Sequence, residues 1–331
     1  MAVGESPIER PGLGARVKTL FLSQEGVLLV IAIVAVLLLS TQTDRFLTVD
    51  NILNQARLMT EVGLVALPMT FIIITGGIDL SVGSTFGLAA VMLGWSWMNA
   101  GLPLELTIFV ALGTGLVCGL FNGWFIVRVG VPPLIMTLAT LALYRGLALG
   151  ISQARSARGY PEWFYQLGQG QVLGVPTQVW LLVVATVIAA IILARTVFGR
   201  AIYAIGNNEL GARFSGLKVD LYKLLIYAFS GTMAGLAGYI FVSRVSTTRS
   251  DMGTGLELDA IAAVVLGGTS INGGTGSIAG TAIGVVLIQL LKNGLSLAGL
   301  KGDATIVVIG AVLILAILLN NYIQRRTGAA A

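Results

Sequence analysis

Ten apolar segments, most of them about 20 residues long, alternate with polar stretches along the 331-residue chain. A transmembrane α-helix needs about 20 predominantly apolar residues to cross the hydrocarbon core of a bilayer. The pattern therefore predicts an all-α membrane protein with about ten transmembrane helices. The apolar segments are 26–42, 53–75, 79–99, 104–128, 132–151, 178–196, 223–243, 258–272, 276–298 and 304–323.

Two of these segments depart from the general pattern. Arg57 and Glu61 fall early in the second segment, so the sequence does not define where that helix begins. The eighth segment, 258–272, has about 15 residues and is short for a complete span. It predicts a re-entrant or broken helix that is shielded from lipid by neighbouring helices.

The chain ends are polar, and the apolar region between them reads as one membrane domain. The first 25 residues are too long and too mixed in charge for the leading part of a signal peptide, so we interpret 26–42 as a retained anchor. This interpretation divides the chain into an N-terminal segment (1–25), a membrane domain (26–325) and a short tail (326–331). Ten spans place both termini on one side, and the distribution of Lys and Arg favours the cytoplasm.

Two glycine-rich turns share a pattern. In each, an apolar segment ends in a Gly-Gly pair, polar residues follow, and the next apolar segment begins with Gly-Ser-x-x-Gly. Glycine-rich turns are common in membrane proteins, but a second copy favours an internal repeat, and equal orientation of the copies makes that repeat parallel. The positions that we assign to these turns and to close helix packing are Gly76, Gly77, Asp79, Gly83, Gly87, Gly267, Gly268, Gly276 and Gly280.

Few ionisable residues fall within the spans. Asp79 lies in the first glycine-rich turn, and we expect its carboxylate to cap the helix that begins near residue 80. Arg145 and Lys292 lie towards the ends of their segments, where we expect them to extend to the interface. An ion-driven carrier would place acids near the middle of the bilayer, and we find no convincing example.

Composition removes several classes of function. The chain is 56% hydrophobic and 11% charged, whereas soluble domains carry about 25% charged residues. It has no His, a single Cys and no G-x-x-x-x-G-K-[ST] phosphate loop, which argues against a metal site, a cofactor site and ATP binding by that route. Its net charge of +5 is scattered among loops, which gives no indication of nucleic-acid binding.

The long loop 197–222 predicts a short amphipathic helix outside the membrane. Asn207 or Asn208 can cap its start, Glu209 favours its first turn, and Gly216 would end it. Such a helix has no core of its own. It either packs on the protein's own helix ends or inserts into a groove of a partner, and spacing alone does not choose between them.

The other long loop, 152–177, lies on the opposite side and is rich in aromatic residues. It contains Tyr160, Trp163, Phe164 and Tyr165. Tyr and Trp are enriched at membrane interfaces, so we favour an interfacial belt over a docking surface.

Six stretches of the chain together form a specific set of motifs, and the last of them alone is nearly diagnostic. They are Thr75–Ser84, Asn122–Gly123, Pro132–Thr140, Tyr144–Gly146, Gly206–Gly216 and Gly253–Ser270. With these motifs the chain resembles, over about residues 46 to 325, the permease subunits of ribose-type ABC importers, which serve monosaccharides and the autoinducer-2 signal. Pro133 and Ala139 stand where many relatives have Phe and Gly, which affects the start of one span rather than the assignment.

The resemblance implies a multi-pass permease of the inner membrane that pairs with a second copy or a paralogue. A periplasmic sugar-binding protein would deliver the solute, and a separate ABC ATPase subunit would dock on the cytoplasmic side. The loop helix would then be the ATPase coupling helix, which selects the partner interpretation. Its residues are Gly206, Asn207, Asn208, Glu209, Ala212, Arg213 and Gly216.

A secondary transporter driven by an ion gradient is the alternative from a different class. A membrane scaffold or enzyme subunit is disfavoured, because catalytic residues and a soluble domain are both missing from the sequence. The sequence does not identify the sugar.

Overall fold

The computed structural model describes residues 46–299 without a break, together with isolated positions on either side. The predicted first and last spans and both terminal segments lie outside this continuous range. The isolated positions are 30, 33, 34, 36, 37, 40, 41, 307, 308, 310, 311 and 314.

Helices dominate the described residues. Two short antiparallel ladders pair β1 (Ala157–Arg158) with β4 (Thr247–Thr248) and β2 (Gln171–Val172) with β3 (Val175–Pro176). A π-helical turn, Phe125–Val129, continues α3, and a 3-10 turn, Glu162–Tyr165, precedes α5. The helices are α1 Val49–Ile74, α2 Val82–Met98, α3 Leu104–Trp124, α4 Pro133–Ser152, α5 Gln166–Gln169, α6 Thr177–Arg195, α7 Val197–Asn207, α8 Glu209–Phe214, α9 Val219–Val245, α10 Leu256–Leu266 and α11 Ile278–Leu297.

The predicted membrane class is confirmed, although the predicted number of spans is not reached within the described residues. Six helices there are long and apolar enough to cross a bilayer: α1, α3 with its π-helical turn, α4, α6, α9 and α11. Helix α2 is apolar but shorter, with 17 residues. Helix α10 has 11 residues and rises about 16 Å, half of a hydrocarbon core of about 30 Å. The eighth apolar segment is therefore too short to cross, in agreement with the expected broken helix.

Helix α1 forms the centre of the molecule. Every residue from Thr60 to Ile74 is buried, and the helix packs against α6, α9, α10 and α11. Because this helix is enclosed by protein rather than by lipid, polar groups along it have protein partners or line internal space. Helices α4 and α6 differ, because most of their residues are not buried by the rest of the described chain.

Helices α3 and α9 approach until their backbones touch. A methyl group on Gly115 would lie 2.1 Å from the carbonyl oxygen of Gly231, and a methyl group on Gly231 would lie 2.0 Å from that of Gly115. Gly119 and Gly235 extend the same contact one turn further along each helix. Small residues four apart permit this close crossing in lipid.

The aromatic loop contributes to the core, so the predicted interfacial belt is wrong for two of its four aromatic residues, Tyr160 and Phe164. Tyr160 and Phe164 are 4% and 1% exposed. Tyr160 stacks on Trp97 at 4.7 Å and on Phe164 at 4.8 Å between ring centroids, and its hydroxyl bonds to Thr248. Trp163 remains 46% exposed. This loop therefore fixes the end of the bundle where α1 begins and α9 ends.

Candidate functional site

The two glycine-rich turns have the same hydrogen-bond pattern. After α1, the N–H of Gly76 donates to Ile73 O, and that of Gly77 donates to Ile72 O. After α10, the N–H groups of Gly268 and Thr269 donate in the same way, to Val265 O and Val264 O. This is the Schellman motif, which requires a left-handed residue just after the helix. Gly76 and Gly268 supply it, with φ of +76° and +90°.

The structural match is offset by one residue from the match in sequence. Gly76 corresponds to Gly268 by hydrogen bonding, whereas aligning the two Gly-Gly pairs would match it to Gly267. The turns also touch: the N–H of Gly274 donates to Ile74 O at 2.9 Å. The end of α1 and the start of α11 therefore meet at one end of the bundle, which we call the glycine end.

The small residues that follow each turn have different neighbours. A methyl group on Gly83 would lie 2.0 Å from a carboxylate oxygen of Glu257 and 2.4 Å from Gly253 O, and one on Gly87 would lie 2.6 Å from Met252 O. Helix α2 therefore packs here against the loop before α10 and the first turn of α10. A methyl group on Gly280 would lie 2.0 Å from Gly267 O, which joins α11 to the end of α10.

Gly276 belongs to the second turn rather than to the helix that follows it. It lies in the turn before α11, which begins at Ile278 and is capped by Ser277.

Asp79 does not cap α2, contrary to our expectation. The helix begins at Val82, and the Asp79 carboxylate accepts hydrogen bonds from the N–H and hydroxyl of Ser81 at 3.0 and 2.7 Å. Its other oxygen accepts from the Ser230 hydroxyl at 3.1 Å, and Asn122 donates to the Ser81 hydroxyl at 2.8 Å. Asp79 is 2% exposed. The carboxylate therefore ties the first turn to α3 and α9.

The loop helix forms where the sequence placed it. Asn208 caps α8 by accepting a hydrogen bond from Gly211 N at 2.8 Å, and Glu209 begins the helix. Gly216, with φ of +84°, follows its end. Gly206 and Asn207 form the last turn of the preceding helix, α7.

One face of α8 is held against the protein, and the other, which we call its free face, is left uncovered by the residues that the structure describes. Ala212 is 5% exposed and packs with Ile205 and Val219. Glu209 pairs with Arg213 at 2.9 Å and with Lys223 of α9 at 2.5 Å. Partial burial opposes ionisation of Glu209, but hydrogen bonds and charge from Lys223 and Arg213 outweigh it and lower its pKa.

The free face of α8 is apolar. Leu210 is 68% exposed and Phe214 is 90% exposed, and the two lie one turn apart. A large aromatic side chain that projects from a fixed helix is typical of a residue that enters a partner's pocket.

A polar cavity of about 930 Å³ opens at the other end of the bundle, which we call the polar end. Five helices line it within the described range: the first half of α1, Phe86 of α2, the end of α9, the start of α10 and the end of α11, together with the loop before α10. Its polar and aromatic lining includes Asn54, Gln55, Glu61, Phe86, Phe241, Arg244, Arg249, Asp251, Asp259, Gln289, Lys292 and Asn293.

Ion pairs balance the charge of this cavity. Glu61 accepts two hydrogen bonds from Arg244, at 2.7 and 3.2 Å, and Lys292 pairs with Asp259. Glu61 lies halfway along α1, so an acid does occupy the middle of a span, contrary to expectation. Lys292 was expected to extend to the interface and instead has this carboxylate partner.

Amide groups and a second arginine complete the polar end. Gln289 of α11 donates to Gln55 of α1 at 2.6 Å. Arg145 also does not extend to the interface: its guanidinium donates to Ser250 O and Met252 O at 3.0 and 2.7 Å, which fixes the loop before α10. Sequence reasoning missed this cavity, although Asn51, Gln55, Gln289 and Asn293 at helical spacing were a detectable sign.

The described residues form six apolar helices of membrane length, with a polar cavity at one end and an apolar face of α8 that they leave uncovered at the other. These features define a multi-pass membrane protein with a solute-sized recess. The family model described as the permease component of branched-chain amino acid transport systems matches residues 51–317. The chain belongs to this family of permease components, which confirms the resemblance seen in the sequence.

Curated relatives cover nearly the whole chain. The ribose import permease protein RbsC of Bacillus subtilis is 41% identical over 290 residues, 87% of this chain and 90% of the relative. The autoinducer 2 import system permease protein LsrD of Enterobacter sp. is 37% identical over 303 residues, 90% of this chain and 92% of the relative. RbsC of Escherichia coli K12 is 37% identical over 303 residues, 89% of this chain and 93% of the relative. No solved structure matches the chain.

Proposed function

We propose that the chain is the transmembrane permease subunit of an ABC importer in the inner membrane, which moves a monosaccharide or related small polar solute inwards. A separate ATPase subunit supplies the energy. Both termini are cytoplasmic in this proposal, so the glycine end with α8 faces the cytoplasm and the polar end faces outwards. A periplasmic binding protein delivers the solute to the polar end.

The single observation that carries this proposal is the free apolar face of α8. The helix is fixed by its cap and ion pairs, yet Leu210 and Phe214 project from it without cover from the described residues. Apolar side chains four residues apart on a fixed helix are the kind of anchors by which a helix docks into a hydrophobic groove. A groove on the ATPase subunit would bury both side chains, as expected of a coupling helix.

The lining of the polar cavity supports a neutral, hydroxyl-rich solute. Amide groups of Asn54, Gln55 and Gln289 offer both donors and acceptors, and the ring of Phe241 offers a flat apolar face. The paired charges leave no excess of either sign. Ribose and autoinducer 2, named in the relatives, both have this chemistry.

Transport in this proposal follows alternating access. ATP closes the ATPase dimer, each α8 moves with its ATPase subunit, and the packed helices rock about the glycine-rich contacts. About ten spans, a parallel repeat built on the two turns, and pairing with a second permease copy or paralogue belong to this proposal. The common Schellman pattern of the turns supports the repeat.

A pair of equally exposed side chains tests the role of α8. Phe214→Asp places a charge where an apolar pocket is expected, so we expect about 10-fold less ATPase subunit to copurify, the loss of one contact worth about 1.4 kcal/mol. Leu173→Asp, at an 89% exposed position on the β2–β3 hairpin, is the matched control and leaves copurification unchanged. Equal copurification of both variants would remove α8 from the interface.

The ion-driven alternative makes a different prediction for energy coupling. Its best candidate for a titrating group is Glu61, but Arg244 already pairs with that carboxylate. In proteoliposomes that contain the permease, the ATPase and the binding protein, we expect uptake of radiolabelled ribose to require ATP and to survive an uncoupler. Uptake that collapses with the uncoupler while ATP is maintained would favour the secondary carrier.

A further inference from the structure

The last turn of α7 lies against both glycine-rich turns at once. A methyl group on Gly206 would lie 1.8 Å from Ile74 O and 2.6 Å from Gly274 N. These two atoms are hydrogen-bonded to each other at 2.9 Å. Gly206 therefore sits at a junction of three backbone segments, where a side chain would separate the donor from its acceptor.

Tyr203 makes a second link from α7, one turn earlier. Its hydroxyl donates to Gly276 O at 2.7 Å, in the turn just before α11. Its neighbour Ile202 is fully buried in the cluster that contains Phe71, Ile72 and Ile74 of α1. Helix α7 thus contacts the end of α1 through apolar packing and the start of α11 through a directed hydrogen bond.

The connection from α7 to α8 is short and fixed. The N–H of Asn208 closes the last turn of α7 by donating to Ala204 O at 3.1 Å, while its side chain caps α8. Ile205 and Ala212 pack together across the junction. A displacement of α8 therefore carries the end of α7 with it.

We propose that Tyr203 and Gly206 are positioning residues that transmit movement of α8 to both glycine-rich turns, so that the α1–α2 and α10–α11 pairs move together. This inference rests on the proposed function, because it takes α8 as the point where the ATPase acts. It adds a physical route from that point to the polar cavity, whose walls are the far ends of α1, α10 and α11.

This role of α7 explains why it meets the two turns through the backbone at Gly206 and through the single hydrogen bond of Tyr203. Backbone groups have no rotamers to absorb a displacement, so movement of α7 passes directly to Ile74 and Gly274. The Tyr203 hydroxyl gives the contact with α11 a direction, since a hydrogen bond weakens steeply when it is misaligned.

The test uses the complex of permease, ATPase and binding protein in proteoliposomes, with radiolabelled ribose as the probe. Tyr203→Phe removes one hydrogen bond, and we expect ribose taken up per ATP hydrolysed to fall about 5-fold while ATPase copurification and hydrolysis persist. Tyr222→Phe is the matched control, because the hydroxyl of Tyr222 has no hydrogen-bond partner within the described residues.

Gly206→Ala tests the backbone junction, and we expect a loss of coupling at least as large. Gly113→Ala is its control, because a methyl group on Gly113 meets no atom within 4 Å among the described residues. Should Gly206→Ala fail to assemble, Tyr203→Phe still decides the question.

A second readout does not depend on the identity of the solute. A cysteine at Asn54, which lines the cavity, reports access from water by its rate of maleimide labelling in a Cys118→Ser background. We expect trapping with ATP and vanadate to change this rate in the parent complex. The change should be lost in Tyr203→Phe and retained in Tyr222→Phe.

The outcomes distinguish a failure of the Tyr203 and Gly206 inference from a failure of the proposed importer function. If Tyr203→Phe and Gly206→Ala couple like the parent complex by both readouts, the inference is overturned and the proposed function stands. If the parent complex itself shows no ATP-dependent uptake and no change in labelling, both are overturned.

Discussion

The two ends of the helix bundle are held together by different kinds of contact. At the glycine end, backbone meets backbone, as in the hydrogen bond from Gly274 N to Ile74 O and the contact of Gly267 with Gly280. At the polar end, side chains meet across the cavity, as in the pair of Glu61 with Arg244.

This difference indicates a division of labour. Backbone contacts fix one geometry, because any added atom collides with a group that cannot rotate away. Side-chain pairs can exchange a partner for water or for a solute hydroxyl, since their torsions are free to change. The glycine end suits a pivot that moves as a unit, and the polar end suits a site whose lining must open and close.

The largest effect is expected where the backbone contact is tightest. Gly267→Leu places a branched side chain where even a methyl group lies 2.4 Å from Gly280 O, so α10 and α11 cannot keep their present distance. We expect assembled protein in the membrane to fall to background, because overpacking of this size forces backbone shifts. Yield after detergent extraction and size-exclusion chromatography measures it.

The control for this variant is a glycine that faces open space. Gly113→Leu on α3 adds the same side chain where no atom lies within 4 Å among the described residues. We expect its yield to equal that of the parent chain. Normal yield for Gly267→Leu as well would show that the glycine end is more adaptable than its backbone contacts indicate.

An intermediate effect is expected at the polar end. Glu61→Gln leaves Arg244 without its carboxylate, and we expect the free energy of unfolding to fall by about 2 to 3 kcal/mol. This loss of stability lies at or below the usual range for breaking a buried ion pair. The reason is that the Arg244 side chain is 20% exposed, so water can partly solvate its charge once the carboxylate is gone. Thermal unfolding in detergent measures the change.

Two further variants sharpen that result. Glu61→Gln combined with Arg244→Gln leaves no uncompensated charge, so we expect it to be more stable than Glu61→Gln alone. Glu105→Gln, at an exposed acid in the first turn of α3, is the control and stays close to the parent. If the Glu61→Gln, Arg244→Gln variant were as unstable as Glu61→Gln alone, the unpaired charge of Arg244 would not be the cause of the lost stability.

Local sequence patterns predicted local structure well. The segment predicted as 132–151 forms a helix over Pro133–Ser152, and the cap, first turn and end of α8 lie at Asn208, Glu209 and Gly216 as expected. Each of these features is decided by residues within one or two helical turns, so the sequence contains the information needed.

Contacts between residues that are far apart in the sequence were not predicted. Glu61 and Arg244 are 183 positions apart, and the donors to Asp79 include Ser230, 151 positions away. Capping and extension to the interface were the best local explanations for Asp79 and Lys292, and tertiary partners overrode both. The polar cavity was missed for the same reason, because its lining comes from five helices and a loop.

The smallest effect on stability is expected at α8, because its ion pairs are exposed and its N-cap already stabilises the first turn. Glu209→Gln removes the pairs with Arg213 and Lys223, yet exposed pairs contribute only about 0.2 to 1 kcal/mol each.

This small contribution depends on pH. The pKa of Glu209 is lowered in the folded chain, so the ion pairs stabilise the fold above the usual glutamate pKa of about 4.3, and this stabilisation is lost as the pH falls below that value. The difference in melting temperature between parent and Glu209→Gln should therefore be small at pH 7 and vanish towards pH 3. Glu162→Gln, at an exposed acid on the polar end, is the control, and its melting temperature at pH 7 should match that of the parent. Because the pairs orient α8 rather than stabilise the fold, we expect Glu209→Gln to reduce ATP-driven uptake far more than it reduces stability. A variant that lost both in proportion would mean that α8 is a structural support and not the moving contact.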